Sequence, residues 1–232
     1  MKIRYAPLAV ACALMVAAAA TTTAQAAAVT YYFGGTLDSV DAGLPSLSIG
    51  NSFTGSFTFE STSVNRNSFP LPYVGDYGDS SFAIEGTVNG HSFLSTTTST
   101  CSLNCVAISV YDEAPTLVDF FQVANFGLRG EGVLPVTGPN LDGIPPSFLL
   151  LQLGDQSGAV FNSVALPSNL ALSSFDDTRF LIGFEGIGQQ ARASGPLTYL
   201  STTAPPIPEA STSAMLAVGL GALALMRRRK AY

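Results

Sequence analysis

Tryptophan is missing from this 232-residue chain, and histidine occurs once, as His91. The first absence removes the side chain best suited to stacking on a sugar ring. The second leaves His91 as the only imidazole available to a Ser-His-Asp triad or a zinc site. Lysine is absent from the whole stretch between residues 29 and 203. There four arginines (Arg66, Arg129, Arg179, Arg192) meet fifteen carboxylates, for a formal charge of −11. A surface this acidic repels phosphate backbones, so nucleic acid is excluded as a partner. Cysteine is scarce too: Cys12, Cys101 and Cys105 are all there is.

What is present first concerns export. Lys2 and Arg4 precede an apolar run from Leu8 to Ala20, and small-x-small sites follow at Ala24-Gln25-Ala26 and Ala26-Ala27-Ala28. This order predicts a signal peptide over residues 1–28, cut after Ala26 or Ala28. The alternatives are an uncleaved anchor helix and a lipoprotein site at Cys12. Thr21 to Thr23 interrupt the apolar run before it reaches spanning length, and most of the run follows Cys12 rather than preceding it. Removing this segment leaves Cys101 and Cys105, in CSLNC, as a predicted disulfide clamping a tight turn in an oxidising compartment. A loop that short contributes only ~2 kcal/mol in the chain-entropy account. A metal pair is the other reading, but no second cysteine pair accompanies it.

Residues 29–203 read as one all-β domain. In SFTGSFTFES, Phe53, Gly55, Phe57 and Phe59 share one parity while Ser and Thr fill most of the other, the period of a half-buried strand. Asn89-Gly90 between two β-type runs is a hairpin signal. VAISVYD, LVDFFQVANFGL, SFLLLQLGD, RFLIGFEG and PLTYLST read as further strands. The stretches from Asn65 to Ser80 and from Leu134 to Ser147 read as long loops, and LPSNLALSSFDD from Leu166 holds one short turn or helix. Many short strands separated by Gly, Pro and Asn predict an antiparallel β-sandwich of jelly-roll-like order.

Chemistry is thin. His91 sits just after the Asn89-Gly90 turn, and no G-x-S-x-G elbow supplies a serine for it. The paired acids Asp76/Asp79, Asp112/Glu113 and Asp176/Asp177 would suit a secreted hydrolase only if folding set them across a cleft. Their plainer reading is solvated loop acids. Ca²⁺ held by loop carboxylates is the one cofactor with any reading, although no D-x-[DN]-x-[DN]-G loop is present. Tyr73 and Tyr77, with Phe69, offer a small aromatic platform for a polysaccharide, against which stands the usual packing of loop tyrosines. STTTST, from Ser95, contains a single Thr-x-Thr, too little for an ice-binding array.

The last 29 residues carry the most information. Ala204-Pro205-Pro206-Ile207-Pro208 is an extended lead. The 17 residues from Ala210 to Met226 would make about 25 Å of helix, just short of a ~30 Å hydrocarbon core. Arg227, Arg228, Arg229 and Lys230 follow as a basic stop, which the positive-inside rule keeps cytoplasmic. This arrangement resembles the PEP-CTERM sorting domain, also called the ice-binding protein C-terminal domain, a label that implies no ice binding. The matching residues are Pro208-Glu209, Ser211, Thr212, the helix through Met226 and the basic stop; Ala210 stands where the family has proline. The resemblance implies recognition of Pro208, Glu209 and Ala210 by an exosortase, processing near them, and delivery to the surface of a Gram-negative bacterium.

The expected organisation is therefore a signal peptide (1–28), a β-sandwich body (29–203), and a sorting segment (204–232) with a transmembrane helix at about 212–226. The expected function is that of a non-enzymatic structural or adhesive matrix protein that passes through the inner membrane. Polysaccharide binding and carboxylate hydrolysis are its alternatives, with exopolysaccharide as a candidate partner.

Overall fold

The computed structural model describes residues 27–67, 71–78, 81–97, 107–112, 118–125 and 134–205. Residues 1–26 of the predicted signal peptide, Phe69, Asp79, Cys101, Cys105, Glu113, Pro208 to Ala210, the helix at 212–226 and Arg227 to Lys230 lie outside the described residues, whereas Ala28, its last predicted residue, opens the first strand.

The strands run in chain order as β1 (Ala28–Thr36), β2 (Ser39–Val40), β3 (Ser52–Glu60), β4 (Val74–Tyr77), β5 (Ala83–Val88) and β6 (His91–Thr96). They continue as β7 (Ile108–Tyr111), β8 (Asp119–Ala124), β9 (Val136–Thr137), β10 (Pro146–Asp155), β11 (Asp177–Gly186) and β12 (Gln189–Ser201). No α-helix occurs among the described residues; the stretch from Leu166 holds a single 3-10 turn at Leu172–Ser174. The hairpin at Asn89-Gly90 forms as the dipeptide dictates. Both residues take positive φ (49° and 81°), the geometry that matches the twist of the flanking strands.

All described strand pairs are antiparallel, and they form one continuous path: β4-β7-β8-β10-β11-β12-β1-β3-β5-β6-β9. The jelly-roll order expected from the sequence is corrected here. A jelly roll divides into two separate sheets, whereas the 13-residue β12 belongs to both arms of this one. Its first part, through Pro196, pairs with β11, and Leu197 to Ser201 pair with β1. The sheet is open, ending at the short strands β4 and β9.

The two arms face each other across a phenylalanine core. Phe180 on β11 lies 5.1 Å, ring centre to ring centre, from both Phe33 on β1 and Phe53 on β3. Phe57 meets Phe121 at 6.0 Å, and Phe93 meets Phe184 edge-on at 5.6 Å. Phe53, Phe57 and Phe59 all point inward, as their parity requires. Each such ring, fully removed from water, contributes roughly 1.5–3 kcal/mol relative to exposure. The alternation that buries them leaves the opposite face of the same strands to hydroxyl side chains.

Candidate functional site

That opposite face is where a site is found. On the arm β12-β1-β3-β5-β6-β9 it forms an open groove of about 470 Å³. Its floor begins with Tyr32 on β1 and Tyr199 on β12. Tyr199 stands opposite Gly34, where a side chain would block it: a β carbon on Gly34 would lie 2.4 Å from Tyr199 Cε1. The absence of that carbon lets the tyrosine ring settle onto the sheet, half-buried. Burial raises its hydroxyl pKa above the ordinary tyrosine value, so the hydroxyl stays protonated and able to donate at neutral pH. Thr198 Oγ1 donates to Gly34 O at 3.2 Å, fastening β12 to β1 beside the ring.

Across the groove short hydroxylated side chains stand around the exposed Leu94 of β6. Thr54 comes from β3, Thr87 from β5, Ser92 from β6 and Thr137 from β9. They arise on successive strands from the polar parity of the same segments whose apolar parity builds the core. Lateral hydrogen bonds hold them in place. The Thr87 and Ser92 hydroxyls lie 2.9 Å apart, and Thr137 Oγ1 donates to Leu94 O at 3.1 Å. Glu85 is the one ionisable acid of the lining, exposed, with Ser56 Oγ donating to its Oε1 at 2.9 Å. No Lys or Arg occurs among the described residues that line the groove. Pro205, at the start of the C-terminal lead, also lines it.

The first and last strands of the body meet beside this groove. Tyr32 is paired with Ser201, so the chain before β1 and the chain after β12 leave the body at the same end.

Those candidate residues from the sequence that are described in the body lie outside this groove. Tyr77 is buried, with its hydroxyl donating to Val164 O at 2.7 Å. Tyr73 is half-buried in the turn before β4, and its carbonyl accepts from Asp112 N. The Tyr73/Tyr77 platform is therefore corrected: Tyr77 belongs to the core, because the loop assigned to it is in fact β4, zipped against β7. His91 opens β6 opposite Val88 and makes no hydrogen bond to a serine or carboxylate among the described residues.

Several described acids are held by hydrogen bonds within the fold. Asp76 is buried and accepts from Ser109 Oγ at 2.8 Å. Asp176 accepts from Gln156 N at 3.2 Å, and Asp177 starts β11 on the exposed side. Asp155 closes its own loop, taking hydrogen bonds from Ser157 N, Ser157 Oγ, Ala159 N and Val160 N. These donors, Ala159 first, hold its pKa below the ordinary carboxylate range. Among the described residues, no three of His, Cys, Asp and Glu gather as a metal site. Ser95 of the Thr-x-Thr stretch is buried on the inner face, not presented to solvent.

The groove residues Tyr32, Tyr199, Glu85 and Thr87 escaped the sequence reading. The signal for one half was there: Tyr32 and Gly34 share a parity opposite to Tyr31 and Phe33. Nothing in the sequence says that Tyr199 will lie across Gly34, since the two are joined only by the ladder.

Residues 206–230 match the family model of the PEP-CTERM protein-sorting motif. The chain matches no curated protein and no solved structure.

Proposed function

We propose, for a chain whose residues 206–230 carry the PEP-CTERM protein-sorting motif, that it is an exported protein processed by an exosortase near Pro208, Glu209 and Ala210. Its β body then serves as a structural or adhesive component of the cell surface or extracellular polysaccharide matrix of a Gram-negative bacterium. The observation that carries the reading is the motif itself, in register with the residues singled out for it. The helix at about 212–226 and the stop Arg227 to Lys230 hold an inner-membrane intermediate, with the body on the far side. A signal peptide over residues 1–28 is the entry step of the same route.

Two features of the body support a non-catalytic role. Among the described residues, Asp76 and Asp176 accept hydrogen bonds from Ser109 and Gln156, and His91 makes no hydrogen bond to a serine or carboxylate. The exit of the chain beside the groove, at Pro205, also suits a body presented to its surroundings from one end.

The test is the intact mass and C-terminal peptide map of the protein from its native host and from a strain lacking exosortase. A new C-terminus close to Pro208–Ala210 in the first strain alone is the expected result. A chain ending at Tyr232 in both strains would identify a plain membrane anchor and remove the basis of the matrix assignment.

A further inference from the structure

We propose that the outer-face groove of the β12-β1-β3-β5-β6-β9 arm binds a segment of an uncharged polysaccharide, with Tyr199 and Tyr32 as the stacking floor. This deepens the matrix reading above and rests on it for the protein's location, but not for the chemistry of the groove.

Three observations select this ligand class. The first is shape: a groove of about 470 Å³ on a sheet face is open rather than enclosed, which suits a chain passing across it better than a small molecule held at both ends. The second is the floor. The Tyr199 ring lies against the bare backbone of Gly34, where a β carbon would meet its Cε1 at 2.4 Å and its Cζ at 2.9 Å, and the half-buried residue lines the groove. The C–H groups on one face of a pyranose ring carry partial positive charge, and they match the negative face of an aromatic ring. A ring already fixed by its neighbours loses little conformational freedom on binding.

The third observation is charge. Besides Phe93 and the exposed Leu94, the described lining offers hydroxyl donors and acceptors and one carboxylate, Glu85, and it offers no cation. A uronate, sulfate or phosphate polymer would meet Glu85 and a body of formal charge −11 with nothing to pair against. A neutral sugar meets the same carboxylate as an acceptor for its hydroxyls, the stronger kind of hydrogen bond because one partner is charged. The lateral bonds Ser56–Glu85 and Thr87–Ser92 fix these acceptors before any ligand arrives.

The experiment is calorimetric titration of the exported protein, purified from its native host, with cellohexaose, maltohexaose and mannohexaose, and with hexagalacturonate as the anionic probe. Tyr199→Ala, Tyr32→Ala and, as a control outside the groove, Tyr77→Phe are titrated alongside, and thermal unfolding establishes that each variant is folded. The expected result is binding of at least one neutral hexasaccharide, weakened tenfold or more by Tyr199→Ala and by Tyr32→Ala and unchanged by Tyr77→Phe. Hexagalacturonate gives no binding. Failure of all three neutral probes, equal binding of hexagalacturonate, or binding that neither tyrosine variant weakens would overturn the proposal. The C-terminal map of the same preparation separates the two readings. A processed tail without saccharide binding overturns the groove assignment alone. Tyrosine-dependent binding on an unprocessed chain upholds the groove and overturns the exosortase route.

Discussion

Phe180 lies directly against Gly86: a β carbon added to the glycine would sit 2.6 Å from Phe180 Cζ. The ring cannot retreat, because Phe33 and Phe53 flank it at 5.1 Å each. Gly86→Val is therefore expected to overpack the core and cost about 1–3 kcal/mol in urea denaturation. Phe180→Ala, which empties the space instead, is expected to cost about 3–5 kcal/mol. Gly86→Val with Phe180→Leu should destabilise by less than the sum of the two single changes, since the smaller side chain relieves the contact. Strict additivity in that cycle would show that the glycine is not there to make room for the ring.

Asp155 ties stability to pH. Its pKa is lowered in the folded protein, chiefly by the Ala159 N–H and then by the Ser157 backbone and hydroxyl donors. A depressed folded-state value means that its contribution is fully present above the unfolded-state value of about 4. The contribution is lost as pH falls from there through the lower folded value. Denaturation of the wild type and of Asp155→Asn at pH 7, 4, 3 and 2 should show the largest difference at neutral pH and a shrinking one on acidification. A difference that stays constant with pH would mean that the carboxylate charge is not what closes the loop at residues 156 to 160.

The Tyr77 hydroxyl donates to Val164 O at 2.7 Å, and burial raises its pKa first, with neighbouring Asp76 adding to the effect. Tyr77→Phe removes one hydrogen bond and leaves a carbonyl without that donor, an expected loss of about 1 kcal/mol. The full truncation Tyr77→Ala is expected to lose about 3–5 kcal/mol, the range for a large aromatic removed from a core. Equilibrium unfolding measures both. Near-neutral stability in Tyr77→Ala would return this residue to the surface.

Arg179 and Asp38 form an ion pair at 3.1 Å between β11 and the turn before β2, both well exposed. Exposed pairs contribute little, so Arg179→Ala is expected to cost under about 1 kcal/mol, and less still in 0.5 M salt. A larger loss would trace to the bond from Arg179 Nη1 to Ser194 Oγ at 3.1 Å, which Arg179→Lys would keep in part.

The legible part of this fold is the part that buries large side chains with period two. β3 stood out through phenylalanines on one parity, β5 and β6 through the Asn89-Gly90 dipeptide between them, and β7, β8, β10 and β11 as runs of β-branched, aromatic and leucine side chains. β4 did not. Its residues, Val74-Gly75-Asp76-Tyr77, look like loop chemistry, and they become a strand because β7 supplies partners and Asp76 finds Ser109. The first part of β12 was hidden for a related reason. Gln190, Arg192 and Ser194 alternate with Ala191 and Ala193, side chains too small to announce a buried face, and only pairing with β11 makes them strand. Losing that stretch hid how long β12 is, and with it the single folded sheet that replaced the expected jelly roll. The groove shared this fate: its floor is assembled across strands, and the sequence records each strand alone.

The sorting tail continues from β12, and β12 is not an edge. Tension applied along the tail enters a strand with hydrogen-bonded neighbours: β11 and β2 over its first part, β1 over its last. Antiparallel ladder bonds stand perpendicular to the strand, so a pull along its axis loads many of them together in shear. A tail attached to β9, the two-residue strand at the rim, would instead peel its bonds away in succession. For a body held by its C-terminal end, the load would therefore enter the sheet away from its rim and be shared among many ladder bonds.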